Sequence, residues 1–435
     1  MDIAIVVALV MFIGAFLLLF IGTPISVSIG LSSFFAMAMI LPFDGAILTS
    51  AQRVFVGLDS FALLAIPFFI LAGNLMNNGG IAIRLINCAK LVSNFLPGPL
   101  AQTNVVANML FGSISGSGVA SAAAIGGIMS PIQKKENYDP AFSAAVNIAS
   151  APTGMLIPPS NTLIVYATVA GSVSITALFM GGYIPGILWG LGVMLVAGFI
   201  AKRRGYVAEK NTMKGQAFKL VLDAVPSLMM IVVVIGGILG GIFTATEASA
   251  IAVVYSLILG MCYKNIKINH LPTIFLATAK MTAIVILMLA TSSIMSWVMA
   301  FTKIPAIIAS GLLSFTDSFL VILLIMNLVL LLVGTFMDPT PAVLIFTPIF
   351  LPICTQFGMD PVQFGIMMVF NLSLGTITPP VGPILFTGCK IGEIKIEGVI
   401  KPLLPFFAVI ILVLLLVTYL PAISMFLPQA MGLVG

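Results

Sequence analysis

Two short polar segments could bind a cation within an otherwise apolar chain. The first reads GSISGSG at 112–118, and the second reads GTFMDPTP at 334–341. Hard cations such as sodium prefer oxygen ligands. The two segments offer side-chain oxygens from Ser113, Ser115, Ser117, Thr335, Asp338 and Thr340. They are therefore candidate ion-binding segments.

Asp338 is the strongest single candidate for a functional residue in these segments. A carboxylate at membrane depth is costly and by default marks a functional site. An aspartate before Pro-Thr-Pro also suits the N-cap of a helix. Both roles stay open, and one residue can serve both. Glu247, in TATEAS, is predicted to cap the start of a span, with a direct functional role as the alternative.

Two further segments each contain a Pro-Pro pair, PTGMLIPPSN at 152–161 and LGTITPPVG at 374–382. Each pair removes two backbone donors and disfavours helix before it, while Gly154 and Gly375 permit unusual backbone angles. A lone proline would suggest only a kink in a packed helix, but two matching pairs predict two helices broken near mid-membrane. Broken ends expose carbonyls at one side and amides at the other, which serve a cation and a carboxylate respectively.

The composition places these segments in a multi-pass membrane protein. The 435 residues are 60% hydrophobic and 7% charged, with a mean hydropathy of +1.23. Apolar runs of about 18 residues or more, long enough to span a bilayer, recur along the chain. The opening 22 residues carry neither a basic start nor a cleavage site, so they predict a retained first span.

Cysteine and histidine usage argues against redox, metal or hydrolytic chemistry. The four cysteines have no CxxC spacing and are predicted to be buried, inert thiols: Cys88, Cys262, Cys354 and Cys389. His270 is the one histidine, so neither a histidine metal cluster nor a Ser-His-Asp triad can form. No enzymatic activity, cofactor or transition metal is expected.

A shift of 221 residues superposes the two halves of the chain. It brings Pro131 onto Pro352, and it also pairs Asp139 with Asp360, Gly154 with Gly375, Pro158 with Pro379 and Pro159 with Pro380. Such alignment of rare residues predicts a duplicated structure. The two copies are predicted at 1–205 and 222–435, joined by a basic cytoplasmic linker at 206–221.

Each copy is predicted to cross the membrane about five times. One crossing corresponds to an apolar run of about 20 residues. An odd number of crossings makes the copies inverted. With the N-terminus outside, fifteen lysines and arginines fall in inside loops and two, Arg53 and Lys303, outside. This bias follows the positive-inside rule. It predicts that both termini are periplasmic.

The fold class expected is an all-α polytopic membrane protein with two inverted repeats. Each repeat carries a re-entrant helical hairpin, at 101–133 and 320–354, and a broken helix, at 141–171 and 361–390. The remaining parts, 1–60 and 222–265, are predicted scaffold helices. Paired interruptions of this kind indicate the binding region of inverted-repeat secondary transporters.

Several motifs together resemble the large membrane subunit of tripartite ATP-independent periplasmic (TRAP) transporters, over essentially the whole chain. They are IGTPISVSIG at 21–30, LLAIPFFILAGNLMNNGG at 63–80, GSISGSGVASAAAIG at 112–126, GMLIPPSNTLIVYA at 154–167, GIFTATEASAIA at 241–252, GTFMDPTPAVLIFTPIFLP at 334–352 and GTITPPVGPILF at 375–386. The combination is specific, whereas one motif alone would be weak.

The resemblance implies a sodium-driven elevator transporter of the bacterial inner membrane. It implies import of an organic acid, such as sialic acid, another sugar acid or a C4-dicarboxylate, supplied by a periplasmic substrate-binding protein. It also implies a small four-helix membrane subunit on a separate chain. Nucleic acid is not an expected partner.

The resemblance also implies where ligands bind. Sodium is expected between each hairpin tip and the break of its partnering helix, at Ser115, Ser117, Gly154 and Pro158 in one site and at Asp338, Thr340, Gly375 and Thr378 in the other. The substrate carboxylate is expected to contact Ser113, Ser160, Asn161, Thr335 and Thr376.

Three other functions compete with this interpretation. A stand-alone sodium- or proton-coupled anion permease of the same superfamily would share the hairpins and inverted copies. An intramembrane enzyme would use Ser115 as nucleophile and Asp338 as acid, although no histidine base is available to it. An open channel would not explain duplicated helix breaks on opposite sides.

Overall fold

A computed structural model describes residues 3–171, 173–206, 217–316 and 318–434. Within these ranges the regular structure consists of helices, with no strand. The first half contains α1 (Ile3–Phe20), α2 (Ile25–Ala38), α3 (Phe43–Leu58), α4 (Ala65–Asn78), α5 (Ile81–Ser93), α6 (Pro99–Ser115), α7 (Gly118–Lys135), α8 (Pro140–Ser150), α9 (Asn161–Ala170) and α10 (Ile175–Arg203). The second half contains α11 (Ala217–Leu239), α12 (Ala245–Cys262), α13 (Leu271–Phe301), α14 (Ile304–Phe315), α15 (Phe319–Gly334), α16 (Pro339–Gln356), α17 (Pro361–Gly375), α18 (Pro383–Ile391), α19 (Ile396–Tyr419) and α20 (Pro421–Ala430).

Seven described helices are long and apolar enough to cross a membrane, and the pair α4 and α5, bent by 75°, makes a possible eighth crossing. A spanning helix needs about 20 apolar residues because each residue advances the helix by 1.5 Å. α9, α15 and α17 are apolar but shorter, as expected for hairpin arms and halves of broken helices. The chain is therefore a polytopic helical membrane protein.

The element bounds repeat at the 221-residue interval. α7 and α16 match from end to end, α8 and α17 begin 221 residues apart, and α10 and α19 do likewise. The interval follows the helix-starting signals, since Asp139 and Asp360 both N-cap a helix whose first residue is proline. The inverted orientation of the copies and the sides on which their loops lie stay predictions.

Each predicted hairpin is formed by two adjacent helices, α6 with α7 and α15 with α16. The glycines and serines of GSISGSG predict that the whole segment at 112–118 is non-helical, and this prediction is wrong in extent. α6 stays helical through Ser115 and ends at Gly116, which has a φ of +62°. Its own intrahelical bonds satisfy this backbone, so only the turn at Gly116 and Ser117 leaves the helix.

Glycines bring each hairpin into backbone contact with a broken helix. A Cβ at Gly154 would lie 2.2 Å from the Gly112 Cα, and a Cβ at Gly375 would lie 2.5 Å from the Gly334 Cα. Real Cβ atoms do not approach backbone so closely, so neither contact tolerates a side chain. The break in each helix is thus sealed by the backbone of a hairpin arm.

Buried asparagines reinforce the same packing. The Asn108 Nδ2 of α6 donates to the Asn147 Oδ1 (3.0 Å) and the Ser150 Oγ (2.8 Å) of α8. In the second half, the Asn371 Nδ2 of α17 donates to the Asn327 Oδ1 of α15 (2.7 Å). Buried amides are costly unless paired, so these bonds fix how each hairpin sits on its broken helix.

Two further predictions concern the linker between the copies and the burial of the cysteines. Of the predicted linker at 206–221, residues 207–216 lie outside the described residues. The cysteines are free as predicted, and Cys354 and Cys389 are buried. Predicted burial fails for Cys262, which is exposed near the end of α12, and holds only in part for Cys88, which is half-buried. Apolar neighbours indicated burial there, whereas a membrane protein also places apolar side chains on its outer face.

We expect Gly154→Ala and Gly375→Ala each to lower the thermal unfolding midpoint of the detergent-solubilised protein by several degrees. The added methyl would force the hairpin away from the break, and overpacking typically costs about 1–3 kcal/mol. Gly127→Ala is the control, because that glycine of α7 has open space around its Cβ position. An equal fall in all three variants would contradict this account of the packing.

Candidate functional site

The first hairpin tip turns between α6 and α7 at Gly116 and Ser117. The Ala120 N–H donates to the Ser117 Oγ (3.3 Å), which makes Ser117 the N-cap of α7. The Ser113 and Ser115 side chains are buried, and their hydroxyls donate to the carbonyls of Leu110 (2.8 Å) and of Ser117 (3.4 Å). The tip therefore exposes one hydroxyl, that of Ser117, and keeps two inside.

The second tip has a carboxylate at the equivalent position. Asp338 N-caps α16, and its Oδ1 accepts a hydrogen bond from the Thr340 N–H (3.1 Å). The Asp338 side chain is exposed, whereas the neighbouring Thr335 is buried with its hydroxyl donating to the Leu332 carbonyl (2.7 Å). The N-cap role left open for Asp338 is thus present in the structure. Glu247 likewise caps α12, in a capping box with Thr244.

The first helix break passes from α8 through a 3₁₀ turn at Ala151–Met155 to α9. The peptide bond between Pro158 and Pro159 is cis. Ser160 N-caps α9, donating to the Met155 carbonyl (2.5 Å) and accepting from the Leu163 N–H (3.4 Å). A Cβ at Gly116 would lie 3.1 Å from the Asn161 Nδ2, so the start of α9 lies against the first tip.

The second break separates α17 from α18, and the peptide bond between Pro379 and Pro380 is also cis. The hydroxyls of Thr376 and Thr378 donate to the carbonyls of Ser373 (2.6 Å) and Leu374 (2.8 Å). The Gly382 N–H donates to the Thr335 carbonyl (3.0 Å). This bond fastens the second tip to its own broken helix.

A cleft of about 370 Å³ brings the two tips together with the start of α9. Four predicted site residues line it, and they come from both halves of the chain: Ser117, Asn161, Asp338 and Thr340. The other nine lie outside the cleft lining: Ser113, Ser115, Gly154, Pro158, Ser160, Thr335, Gly375, Thr376 and Thr378. The predicted set therefore divides into residues that face the cleft and residues that belong to the tips and breaks beside it.

The opposite wall of the cleft was not predicted. It consists of apolar side chains from α4 and α13 and of the first residues of α2: Ile66, Ile70, Met281, Ile284, Val285, Met288, Pro24, Ile25 and Ser26. Methionine, isoleucine and valine in apolar helices give no signal that distinguishes a cleft wall from ordinary packing. Pro24 was detectable as part of the TPIS motif but was not assigned to the site.

Helix ends determine the charge of this region more than ionised side chains do. Four helices begin at the cleft, namely α2, α7, α9 and α16. Helix N-termini carry partial positive charge and free amides, which favour an anion. α6, α15 and α17 instead end beside the tips and breaks, where their last carbonyls favour a cation. The region can thus accommodate both charges.

The enzyme alternative names Ser115 as the nucleophile. The Ser115 hydroxyl is buried among backbone carbonyls. A serine nucleophile needs an adjacent base to activate it, and the residues that the structure places around Ser115 include none.

We expect Asp338→Asn to keep the thermal stability of the protein and Asp338→Ala to lower it. Asparagine caps a helix about as well as aspartate, whereas alanine forfeits about 1 kcal/mol. The measurement is the thermal unfolding midpoint in detergent. If the alanine variant were as stable as the wild type, the cap would contribute nothing to stability.

Comparison with known proteins identifies a family over nearly the whole chain. Residues 12–423 match the family described as tripartite ATP-independent periplasmic transporter, DctM component. The chain is 53% identical to a protein named YgiK from Salmonella typhimurium, over 98% of this chain and 99% of that protein.

Two further relatives carry functional names. The chain is 41% identical to the isethionate TRAP transporter permease protein DctMQ of Oleidesulfovibrio alaskensis, over 94% of this chain and 64% of that longer protein. It is 36% identical to the sialic acid TRAP transporter large permease protein SiaM of Vibrio cholerae, over 95% of this chain and 96% of the relative. Since these relatives are transporter permeases, the enzyme alternative is set aside.

Among solved structures, the chain resembles the YdaH transporter of Alcanivorax borkumensis. The TM-score is 0.59 at 15% identity, over 90% of this chain and 89% of the other. At that identity the likeness concerns the fold alone, and it agrees with an all-helical transporter architecture.

Proposed function

The chain belongs to the DctM family, the large membrane component of TRAP transporters of the inner membrane. We therefore propose that it imports a small organic anion, driven by a sodium gradient. The observation that carries this proposal is the cleft in which Ser117 and Asp338, the two equivalent tip residues, meet Asn161.

The anion is proposed to bind in the cleft through backbone amides and neutral side chains. Four helix N-termini converge there, and lysine and arginine are absent from its described lining. Helix N-termini bind carboxylates and sulfonates without a cationic side chain. The named relatives transport isethionate, a sulfonate, and sialic acid, a carboxylate. A sugar acid, a C4-dicarboxylate or a small sulfonate therefore fits this chemistry.

Sodium is proposed to bind at the side of the cleft where hairpin tips meet helix breaks. The hydroxyls of Thr335, Thr376 and Thr378 all donate to backbone carbonyls, so their oxygen lone pairs stay free to coordinate a cation. Asp338 adds a full negative charge in the second site, whereas the first site, at Ser117, has none. We therefore propose two sodium sites of unequal affinity.

Sodium binding is proposed to organise the tips before the anion enters. The Gly382 to Thr335 hydrogen bond ties the second tip to its break, so an ion between them would fix both. The N-termini of α7 and α16 would then be held at the cleft, ready for the anion. Coupling requires only that the anion binds better to tips that sodium has ordered.

Transport is proposed to follow an elevator mechanism. The hairpins and broken helices would form the mobile block, and α2, α4 and α13 would belong to the static wall, with α1 and α12 in the scaffold. The apolar side chains of the wall offer a surface along which the block can slide without breaking hydrogen bonds.

The proposal also includes two partner proteins and an orientation in the membrane. A periplasmic substrate-binding protein would deliver the anion, and a small four-helix subunit on a separate chain would extend the scaffold. Both termini would be periplasmic, and no cofactor besides the coupling ion would be needed.

Replacing external sodium with choline is expected to abolish uptake of the anion into proteoliposomes that contain the chain, its small subunit and the binding protein. The imposed gradient supplies the driving force, so equal uptake in choline would refute sodium coupling. Omitting the binding protein separates the tripartite transporter from a stand-alone permease, which would retain full uptake.

Asp338→Asn is expected to raise the sodium concentration for half-maximal uptake at least about tenfold, because it removes the carboxylate while retaining the cap. Asp360→Asn is the matched control. Asp360 also caps a helix with proline at its first position, through a 2.7 Å bond from the Val362 N–H, but lies outside the cleft. If both variants kept the wild-type sodium dependence, Asp338 would not be a sodium ligand.

A further inference from the structure

A second cavity lies farther along α13 and α9 than the cleft, and we call it the vestibule. Its volume is about 540 Å³. It is lined by Arg53, Val56, Gly57, Ser60, Thr168, Val169, Leu289, Ser292, Ser293, Ser296, Trp297, Ala300 and Leu344. Its walls belong to α3 and α13 on one side and to α9 and α16 on the other.

Arg53 brings a positive charge to the vestibule, and no carboxylate in the described part of the chain forms an ion pair with it. The ion pairs among the described residues involve Arg84, Lys134 and Arg204 rather than Arg53. The guanidinium carbon of Arg53 lies 6.0 Å from the centroid of the Trp297 ring. An aromatic ring orients the guanidinium without consuming its donors, so they stay available to an anion.

Ser292 supplies an independent sign of a missing ligand. Its side chain is 3% exposed, and its Oγ has no hydrogen-bond partner. A buried hydroxyl without a partner is costly and needs an explanation. The neighbouring Ser293 is held in place, since it donates to the Leu289 carbonyl (3.1 Å) and packs against Gly57. Ser292 is therefore a buried polar side chain of the vestibule lining whose hydroxyl has no partner in the structure.

The vestibule and the cleft lie along the same two helices. On α13, Met288 lines the cleft and Leu289 lines the vestibule. On α9, Val165 lines the cleft and Thr168 the vestibule. At 1.5 Å per residue, Trp297 lies about 13 Å from Met288 along the helix axis. The two cavities are therefore close neighbours along α9 and α13.

We propose that the vestibule is an anion-receiving site, where Arg53 and Ser292 bind the carboxylate or sulfonate of the substrate before it reaches the cleft. This inference rests on the proposed function and on the predicted periplasmic position of Arg53. The vestibule and the cleft would attract the anion with different strengths. A full positive charge attracts an anion from water, whereas the weaker field of helix N-termini releases it again during transport.

Trp297 is a built-in reporter for this site. The chain has two tryptophans. Trp189 is fully buried, with its Nε1 donating to the Ala149 carbonyl (2.8 Å), so a quencher in water reaches Trp297 instead. Iodide is an anionic quencher and acrylamide a neutral one. The ratio of their quenching constants measures the attraction of anions to the vestibule.

The experiment uses the full chain in an uncharged detergent at low ionic strength. Arg53→Gln is expected to lower the iodide quenching constant at least about twofold and to leave acrylamide quenching unchanged, because the charge is lost but access is kept. The difference should shrink at 1 M salt, where the Debye length is about 3 Å. Arg203→Gln is the matched control, since that exposed arginine also lies over an aromatic ring, Phe199, outside the vestibule.

Several results would overturn the proposal. One such result is that Arg53→Gln leaves the iodide quenching constant unchanged, while an unchanged acrylamide quenching constant shows that the fold is intact. Another concerns the source of the anion. Isethionate or succinate at millimolar concentration should protect Trp297 from iodide in the wild type, and protection by phosphatidylglycerol alone would assign the site to lipid phosphate instead.

Uptake assays separate this proposal from the proposed function. Arg53→Gln and Ser292→Ala are expected to raise the KM for the transported anion about three- to tenfold with Vmax retained, since they weaken capture rather than the cleft. A loss of Vmax with unchanged KM would contradict the vestibule. If the wild type transported no organic anion, the proposed function would fail, and the iodide measurement would still decide whether the vestibule attracts anions.

Discussion

The rest of the structure depends on one constraint, that backbone polar groups at membrane depth must find partners within the protein. A broken helix violates this constraint unless something covers the break. Here the cover is a second backbone, because Gly112 meets Gly154 and Gly334 meets Gly375 with no room for a Cβ. Side chains could not provide it, since they would hold the hairpin too far away. Hairpin and broken helix therefore cannot be understood separately, and each exists at this depth because the other does.

The same constraint creates the binding chemistry. Breaking a helix produces a carbonyl end and an amide end, and covering the break with a hairpin adds another pair of ends beside it. The carbonyl ends of α6, α15 and α17 gather around the tips, and the amide ends of α7, α9 and α16 open to the cleft. The order of the helices thus places partial negative charges beside the tips and partial positive charges at the cleft. This arrangement is what supports the proposal of neighbouring cation and anion sites, as coupled transport requires.

The sequence predicted the parts of the molecule that depend on rare residues. Proline, glycine and clustered hydroxyls predicted both tips and both breaks, and Ser117 and Asp338 were among the residues that they marked. The wall of α4 and α13 was missed because Ile66, Met281 and Met288 have the same composition as any lipid-facing or packed helix. The extent of the first tip was wrong because serine and glycine permit a turn without requiring one. α6 continues to Ser115 because its interior position lets intrahelical bonds outweigh propensity. The exposure of Cys262 was missed for a related reason, since apolar neighbours do not distinguish the core from the membrane face.

The duplication makes the chemical difference between the halves informative. At equivalent positions the first tip carries a serine and the second an aspartate, yet both residues perform the same structural task as the N-cap of the helix that follows. Serine and aspartate cap helices about equally well, so capping alone does not require the negative charge that Asp338 brings to the cleft. A cation that binds beside the second tip would balance it, and an organic anion in the same cleft would then meet a neutral site rather than a repulsive one.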